Sequence, residues 1–313
     1  MLVPETTMRL GIVVVYLVNE DDEQLLDLHL SQIERCTQVP YTIYASVNQL
    51  QPGFRRKLEQ RSDVMICDVP NTDLRGMEEH AHYLECLTRV AIEDGVSHVV
   101  TLHVDSFPVR SGWAEELAQK LSETCVFATL EKINTACLFF TRDFFLKYHP
   151  AFLLSDQVYA SLEFKQYLER LKPIVHSGIG YGFKAYVEGL SWYSLREFIT
   201  DSTYPFGGIY DDLIFHLQGA VLIGQDPNPP PVLQKSGYIA FVENLGTVVR
   251  WVIPEHIRKL LRKHFLIPIE YLADRPRKIE SKKRLKIARQ RLLADPESFL
   301  VQLQEEKRQC GFP

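Results

Sequence analysis

Gly11 to Val18 is an unbroken apolar, largely β-branched run, the pattern of a strand buried on both faces. Polar Asn19-Glu20-Asp21-Asp22 follows, and such residues can cap the helix that the spacing of Leu25, Leu26, Leu28, Leu30 and Ile33 predicts. Tyr41 to Val47, Asp63 to Val69 and Ser97 to Val104 read as further strands. Helices are predicted between them, over Phe54 to Gln60 and Met77 to Glu93. Strand alternating with helix predicts an α/β fold, a mostly parallel sheet flanked by helices. In such sheets ligands bind beyond the carboxyl ends of the strands, so the residues just after each strand are the ones to inspect.

Past Gly112 the pattern changes. Trp113 to Ser122 is predicted helical, and Cys125 to Leu130 and Ala136 to Phe140 are predicted strands. Gly178-Ile-Gly-Tyr-Gly182 reads as a glycine-rich loop and Pro205 to Tyr210 as a turn region. Asp211 to Gly219 reads as a short helix leading into a strand at Ala220 to Gly224. Asp226-Pro-Asn-Pro-Pro-Pro231 must lie in a surface loop or linker, because so many prolines cannot join a helix or an interior strand. The chain from Pro254 onward reads as mostly helical, interrupted near Pro268 and Pro276.

Of the 313 residues, 46% are hydrophobic and 24% charged, which excludes disorder and coiled coil. Cys36, Cys67, Cys86, Cys125, Cys137 and Cys310 are scattered without a Cys-x-x-Cys pair. That disfavours a structural zinc site and a disulfide scaffold and fits a reducing compartment. The amino terminus shows no basic segment followed by an apolar run, so neither a signal peptide nor a membrane span is expected there. The expected location is cytoplasmic, with the inner face of a membrane as the one variation. Residues 254–313 carry 15 Lys and Arg against 8 Asp and Glu, whereas the whole chain is at −5. An acidic body with a basic tail argues against nucleic acid as the partner of the main domain. Lys282-Lys-Arg-Leu-Lys286 gives the tail the composition of a membrane-surface or partner-binding helix, with a solvated helix face as the alternative.

The strand ends carry Asn19, Asn48, Asn71 with Asp73, and His103-Val-Asp105-Ser-Phe-Pro108. Each is a common turn residue, but the set is what a nucleotide-binding α/β domain needs. No Gly-x-Gly-x-x-Gly follows the first strand and no phosphate-cradling glycine loop with Gly-Lys-Ser/Thr occurs, so a bound phosphate would need another neutralising group. A divalent ion on a carboxylate is the natural substitute, and Asp105 is the best-placed carboxylate.

From Gly11 to about Phe145 the chain resembles family 2-type glycosyltransferases of the GT-A fold. Tyr16-Leu-Val-Asn19 approximates the element ending that family's first strand, and Asn48 and Asn71 match the positions after the second and third. His103-Val-Asp105-Ser-Phe-Pro-Val-Arg-Ser-Gly-Trp113 follows the layout of the Asp-x-Asp metal motif, with His103 in the first Asp position. Ile133 to Arg142 resembles the strand before the acceptor site, and Asp211-Asp212 the pair that supplies the catalytic base.

The resemblance implies a GT-A-like domain over 1–253, with a nucleotide-sugar half (9–112) and an acceptor half (113–225), followed by a basic helical extension (254–313). It implies an inverting transfer from a nucleotide-diphosphate sugar to a hydroxyl of a glycan, lipid or small-molecule acceptor. Asn19, Asn48, Asn71, Arg75 and His103 would bind the donor, and Asp105 would hold Mn2+ or Mg2+. Asp212, with Asp211 beside it, would act as base, although adjacent carboxylates at a helix start also serve the helix dipole alone. His216, four residues after Asp212, is expected on the same helical face as a further metal ligand. Trp192 and Tyr181 would form an aromatic platform for the acceptor, core packing being the alternative.

Two rivals stand beside this reading. One is a non-catalytic nucleotide- or glycan-binding scaffold of the same fold, favoured by the His103 departure. The other is a sugar nucleotidyltransferase, which would want a glycine-rich basic loop where Asn19-Glu-Asp-Asp22 is acidic.

Overall fold

A computed structural model describes residues 8–18, 22–48, 50–130, 133–173, 175–198, 207–217, 283 and 285–309. The first half runs β1 (Leu10–Val15), α1 (Glu23–Cys36), β2 (Tyr41–Ser46), α2 (Pro52–Glu59), β3 (Val64–Ile66), α3 (Met77–Glu93) and β4 (His98–Leu102). Then come β5 (Ser106–Pro108), α4 (Trp113–Gln119), β6 (Cys125–Leu130), β7 (Asn134–Thr141), α5 (Arg142–Tyr148), α6 (Asp156–Ala160), α7 (Leu162–Leu171) and α8 (Ile179–Val187). The remainder is β8 (Ser191–Leu195), β9 (Glu197–Phe198), β10 (Gly208–Tyr210), β11 (Ile214–His216), a helix α9 over 285–294 and α10 (Pro296–Gln309).

The main sheet has the order β3-β2-β1-β4-β7-β6-β8 and is parallel except for β7. The expected α/β class and its first four strands are therefore present. β1 is buried along its whole length, as its apolar run requires. Its two faces feed two cores: Ile12 and Val14 pack with α1, α4 and α9–α10, and Val13 and Val15 with α3 and α8.

From β1 the chain moves outward to β2 and β3, then returns through α3 to place β4 on the other side of β1. In open α/β sheets such a reversal of strand order, here between β1 and β4, is where ligands bind, beyond the carboxyl ends of the strands. A second, antiparallel sheet, β5-β11-β10-β9, stands next to it, because β5 follows β4 after a single turn.

Three expectations about local structure are corrected. Asp211 to His216 is not helical: Asp211 and Asp212 take left-handed φ values of 48° and 57° and form the turn of a hairpin between β10 and β11. Paired positive φ values suit the twist of a tight hairpin, and Asp tolerates them better than most residues.

The Gly178 to Gly182 run is not an open loop but the start of α8. A Cβ on Gly180 would lie 1.9 Å from the Ala151 carbonyl oxygen, and one on Gly182 would lie 2.1 Å from Ile133 Cδ1. These glycines let a helix approach backbone closely.

The described part of the tail is not a free amphipathic helix. Leu285, Ala288, Leu292, Phe299, Leu300 and Leu303 belong to the same core as β1 and α1. Phe299 meets Phe215 of β11 edge-on at 6.1 Å, Arg289 pairs with the buried Asp22, and Glu297 pairs with Arg35 of α1. The buried apolar side chains of these helices are thus covered by the protein itself, while Ile287 and Val301 stay exposed. Among the described residues no helix is long and apolar enough to cross a membrane. The expectations for Asn19, for the strand at 220–224, the proline segment at 226–231 and the tail around Pro268 and Pro276 lie outside the described residues.

Candidate metal centre

β4 ends at Leu102, and the next four residues make a tight turn. The Ser106 amide donates to the His103 carbonyl at 2.9 Å. The Ser106 hydroxyl accepts from the His103 amide at 2.8 Å and donates to the Ala136 carbonyl on β7 at 2.6 Å. His29 of α1 donates from Nδ1 to the Ser106 carbonyl at 2.9 Å. The turn is held on three sides and carries His103 and Asp105 just beyond the carboxyl end of β4.

The third member of the site comes from far along the chain. β11 pairs with β5 in the register His216 to Ser106, Phe215 to Phe107 and Ile214 to Pro108, and the Leu217 amide donates to the Asp105 carbonyl at 2.9 Å. His216 Nε2 therefore lies 3.6 Å from Asp105 Oδ1, with the two side chains 8% and 4% exposed. His103 Nδ1 lies 4.0 Å from the same oxygen. These three ligand atoms all fall within 4.8 Å of one another, the one group of metal-ligand type among the described residues.

Neither 3.6 nor 4.0 Å is a hydrogen-bond distance. Two donor atoms each about 2.1 Å from a shared ion do lie roughly 3–4 Å apart. Ligand histidines must also be neutral, and burial pushes the His216 imidazole down to about 4 and that of His103 to about 3. The buried Nδ1 of His216 makes no hydrogen bond. One carboxylate and two neutral imidazoles, gathered from three sequence positions, with Asp105 and His216 buried and His103 partly exposed, fit a divalent cation.

His103 enters this cluster as a potential ligand, a role open to a histidine in the first position of the metal motif alongside the donor contact. Behind it stands a set of polar groups that sequence spacing does not reveal. His103 Nε2 lies 3.1 Å from Thr135 Oγ1, Thr135 Oγ1 lies 3.2 Å from Ser177 Oγ, and Ser177 Oγ lies 3.0 Å from His80 Nδ1. Thr135 is on β7, Ser177 just before α8 and His80 on α3. The His80 and His103 rings meet edge-on at 5.3 Å, and burial holds the His80 imidazole down at about 4.

The remaining expected site residues divide by position. Asn48 and Asn71, after β2 and β3, are exposed and joined: Asn48 Nδ2 donates to Asn71 Oδ1 at 3.0 Å and to the Val69 carbonyl at 2.7 Å. Arg75 is exposed in the same loop, its guanidinium donating to the Leu74 and Thr72 carbonyls. These three stand on the carboxyl side of the sheet, as does the cluster.

Asp212 and Asp211 do not join them. They occupy the turn that precedes β11, whereas His216 is that strand's last residue. There Tyr193 donates to Asp211 Oδ2 at 2.8 Å and Arg110 donates to the Asp212 carbonyl at 3.1 Å. The helical adjacency expected of Asp212 and His216 is thus replaced by opposite ends of a strand.

Tyr181 is fully buried among Phe127, Phe140, Phe144 and Phe152, so it has no face for an acceptor. Trp192 lies flat on Phe127, with ring planes 5° apart, near the amino end of β8. The structure places it away from the carboxyl edge where the cluster sits.

No family model matches the chain, and no curated protein matches it. Solved structures do. A mannosyltransferase from Pyrobaculum calidifontis in complex with GDP-Man and Mn2+ is 11% identical, covering 91% of this chain and 87% of its own, with a TM-score of 0.41. Mouse xyloside xylosyltransferase 1 in its apo form is 9% identical over 60% of this chain and 85% of its own, with a TM-score of 0.38. The apo-form glycosyltransferase GlyE of Streptococcus pneumoniae TIGR4 is 12% identical over 61% of this chain and 45% of its own, with a TM-score of 0.34.

Proposed function

We propose that this protein is a metal-assisted glycosyltransferase that uses a nucleotide-diphosphate sugar. The observation that supports the reading is the grouping of His103, Asp105 and His216 just beyond the carboxyl end of β4, the strand next to β1 where the strand order reverses. An open parallel sheet receives ligands at such a reversal of strand order. A diphosphate entering there without a glycine-rich cradle requires a positive partner, and the cluster is built to hold one.

In this reading Asp105, His216 and His103 would hold Mn2+ or a similar divalent ion, which would supply positive charge for a diphosphate. Asn48 and Asn71, tied to each other at the ends of β2 and β3, supply amide groups for the nucleoside, and Asn19, outside the described residues, is proposed to join them. Arg75 adds a cation to the same edge. The hydrogen-bonded turn at His103–Ser106 keeps the ligand atoms in place before the donor arrives, so little reorganisation is needed on binding. Asp212 lies in the turn before β11 whereas His216 is that strand's last residue, so the hairpin does not support it as a base beside this centre.

The test is a thermal-shift panel of UDP, GDP, CDP and TDP, each with Mn2+, Mg2+ or EDTA. The expected result is stabilisation by one diphosphate that EDTA abolishes, since a ligand of the folded state raises the melting temperature. No shift with any diphosphate would overturn the reading and favour a scaffold role.

A further inference from the structure

The polar groups behind His103 form a single file: His103 Nε2, Thr135 Oγ1, Ser177 Oγ and His80 Nδ1, at successive separations of 3.1, 3.2 and 3.0 Å. Thr135 and Ser177 are buried, and each hydroxyl carries one proton. The file therefore runs in one of two senses.

In the first, His103 donates from Nε2, Thr135 donates to Ser177, and Ser177 donates to His80 Nδ1. In the second every bond is reversed, and the His103 proton moves to Nδ1. That nitrogen lies 4.0 Å from Asp105 Oδ1, too far to use a proton in a hydrogen bond. Only the first sense leaves the Nδ1 lone pair pointing at Asp105 and His216. The tautomer of a ligand imidazole is commonly fixed by the bond its other nitrogen makes.

We propose that Thr135 is a positioning residue of the metal centre: with Ser177 and His80 behind it, it holds His103 in the Nε2-protonated form and presents Nδ1 to the ion. This inference rests on the metal-centre reading above. It also states a preference among ions. A centre with two imidazole nitrogens and one carboxylate oxygen takes a transition ion such as Mn2+ or Co2+ ahead of Mg2+, which favours all-oxygen surroundings.

The hydroxyl is held by its surroundings as well as by its file. Thr135 sits on β7, its carbonyl accepting from Thr101 Oγ1 of β4 at 2.7 Å. A Thr135→Val change keeps the branched shape that a strand position favours and removes only the hydroxyl. Thr135→Ser keeps the hydroxyl and removes the methyl group.

The full chain is titrated with Mn2+, free ion being followed by electron paramagnetic resonance. The series comprises wild type, Thr135→Val, Thr135→Ser, Ser177→Ala and Asp105→Ala, with circular dichroism checking each fold. Loss of such a supporting partner commonly weakens metal affinity 10–100-fold. The expected result is a loss of that order, at least about tenfold, in Thr135→Val, recovery in Thr135→Ser and a smaller loss in Ser177→Ala. Pulsed resonance on bound Mn2+ should show the nitrogen coupling from His103, identified by its absence in His103→Ala, diminished in Thr135→Val.

Wild-type affinity in Thr135→Val, with Asp105→Ala impaired, would overturn this inference and leave the metal centre standing. Equal losses in Thr135→Val and Thr135→Ser would also overturn it, because the hydroxyl would not be what matters. Unchanged binding in Asp105→Ala would overturn the metal centre and this inference together. Where Thr135→Val does not fold, Ser177→Ala decides, and unchanged affinity there counts against the file.

Discussion

His216 stands opposite Ser106 in the antiparallel pairing of β11 with β5, and that register brings its Nε2 to 3.6 Å from Asp105 Oδ1. Asp105 follows β4 of the main sheet, whereas His216 ends the second sheet's hairpin. The candidate centre is therefore built on the seam between two sheets. A slip of one residue in the β5–β11 register would turn His216 to the other face of its sheet and dissolve the cluster. Phe215, on that other face, is anchored edge-on by Phe299 of α10, so the carboxyl-terminal helices help fix the register.

Removing a ligand from the cluster should separate metal binding from folding. Asp105→Asn and His216→Ala are each expected to abolish the EDTA-sensitive part of the diphosphate-induced thermal shift. At ligand concentrations near 100 times the dissociation constant the stabilisation lost is about 2.7 kcal/mol. A shift that survives intact in both variants would contradict the site assignment.

The buried histidines predict the direction of acid sensitivity. His29 is fully buried, and burial pushes its imidazole down to about 4, well below the ordinary value of about 6.5. The folded form thus binds fewer protons than the unfolded one across that interval. Stability is fully present above about pH 6.5 and is lost as pH falls toward 4, by up to about 1.4 kcal/mol per pH unit for this group. Urea midpoints at pH 7 and pH 5 check the sign, and the difference should shrink in His29→Gln. An unchanged difference in that variant would clear His29 of the effect.

Two glycines make a matched pair for packing. Gly180→Ala forces a methyl group against the Ala151 carbonyl, where a Cβ would lie 1.9 Å away, and is expected to cost about 1–3 kcal/mol. Gly53, exposed in α2, has nothing within 4 Å of the place a Cβ would take, so Gly53→Ala is expected to stabilise by about 0.5 kcal/mol. Chemical denaturation of both variants would show opposite shifts.

The docked tail predicts a large effect from a single exchange. Arg289 of α9 pairs with Asp22, which is 2% exposed at the start of α1. Arg289→Ala leaves a buried carboxylate without this cation, and breaking such a pair costs about 3–5 kcal/mol. A loss below about 1 kcal/mol would place the tail's contribution in its apolar face alone.

The main sheet was legible because its strands are long apolar runs separated by amphipathic helices, a pattern that local periodicity captures. The hairpin at Gly208–His216 was not. Asp211-Asp212 before an apolar segment looks like a helix cap, and only pairing with β5, about a hundred positions earlier in the chain, makes it a turn. The glycine run at 178–182 misled in the same way, because its purpose is contact with Ala151, Ile133 and Tyr167 rather than local freedom. Asp105 and His216 were visible as candidates, but for His216 the helical reason was wrong and strand pairing brought it to Asp105. Thr135, Ser177 and His80 carried no spacing signal at all, since three different elements bring them together.

The most direct test of the account is anomalous diffraction at the manganese edge from crystals of the full chain soaked in Mn2+. One strong peak is expected within coordination distance of His103 Nδ1, Asp105 and His216 Nε2. A saturated crystal with no peak there, or with its peak elsewhere, would contradict it.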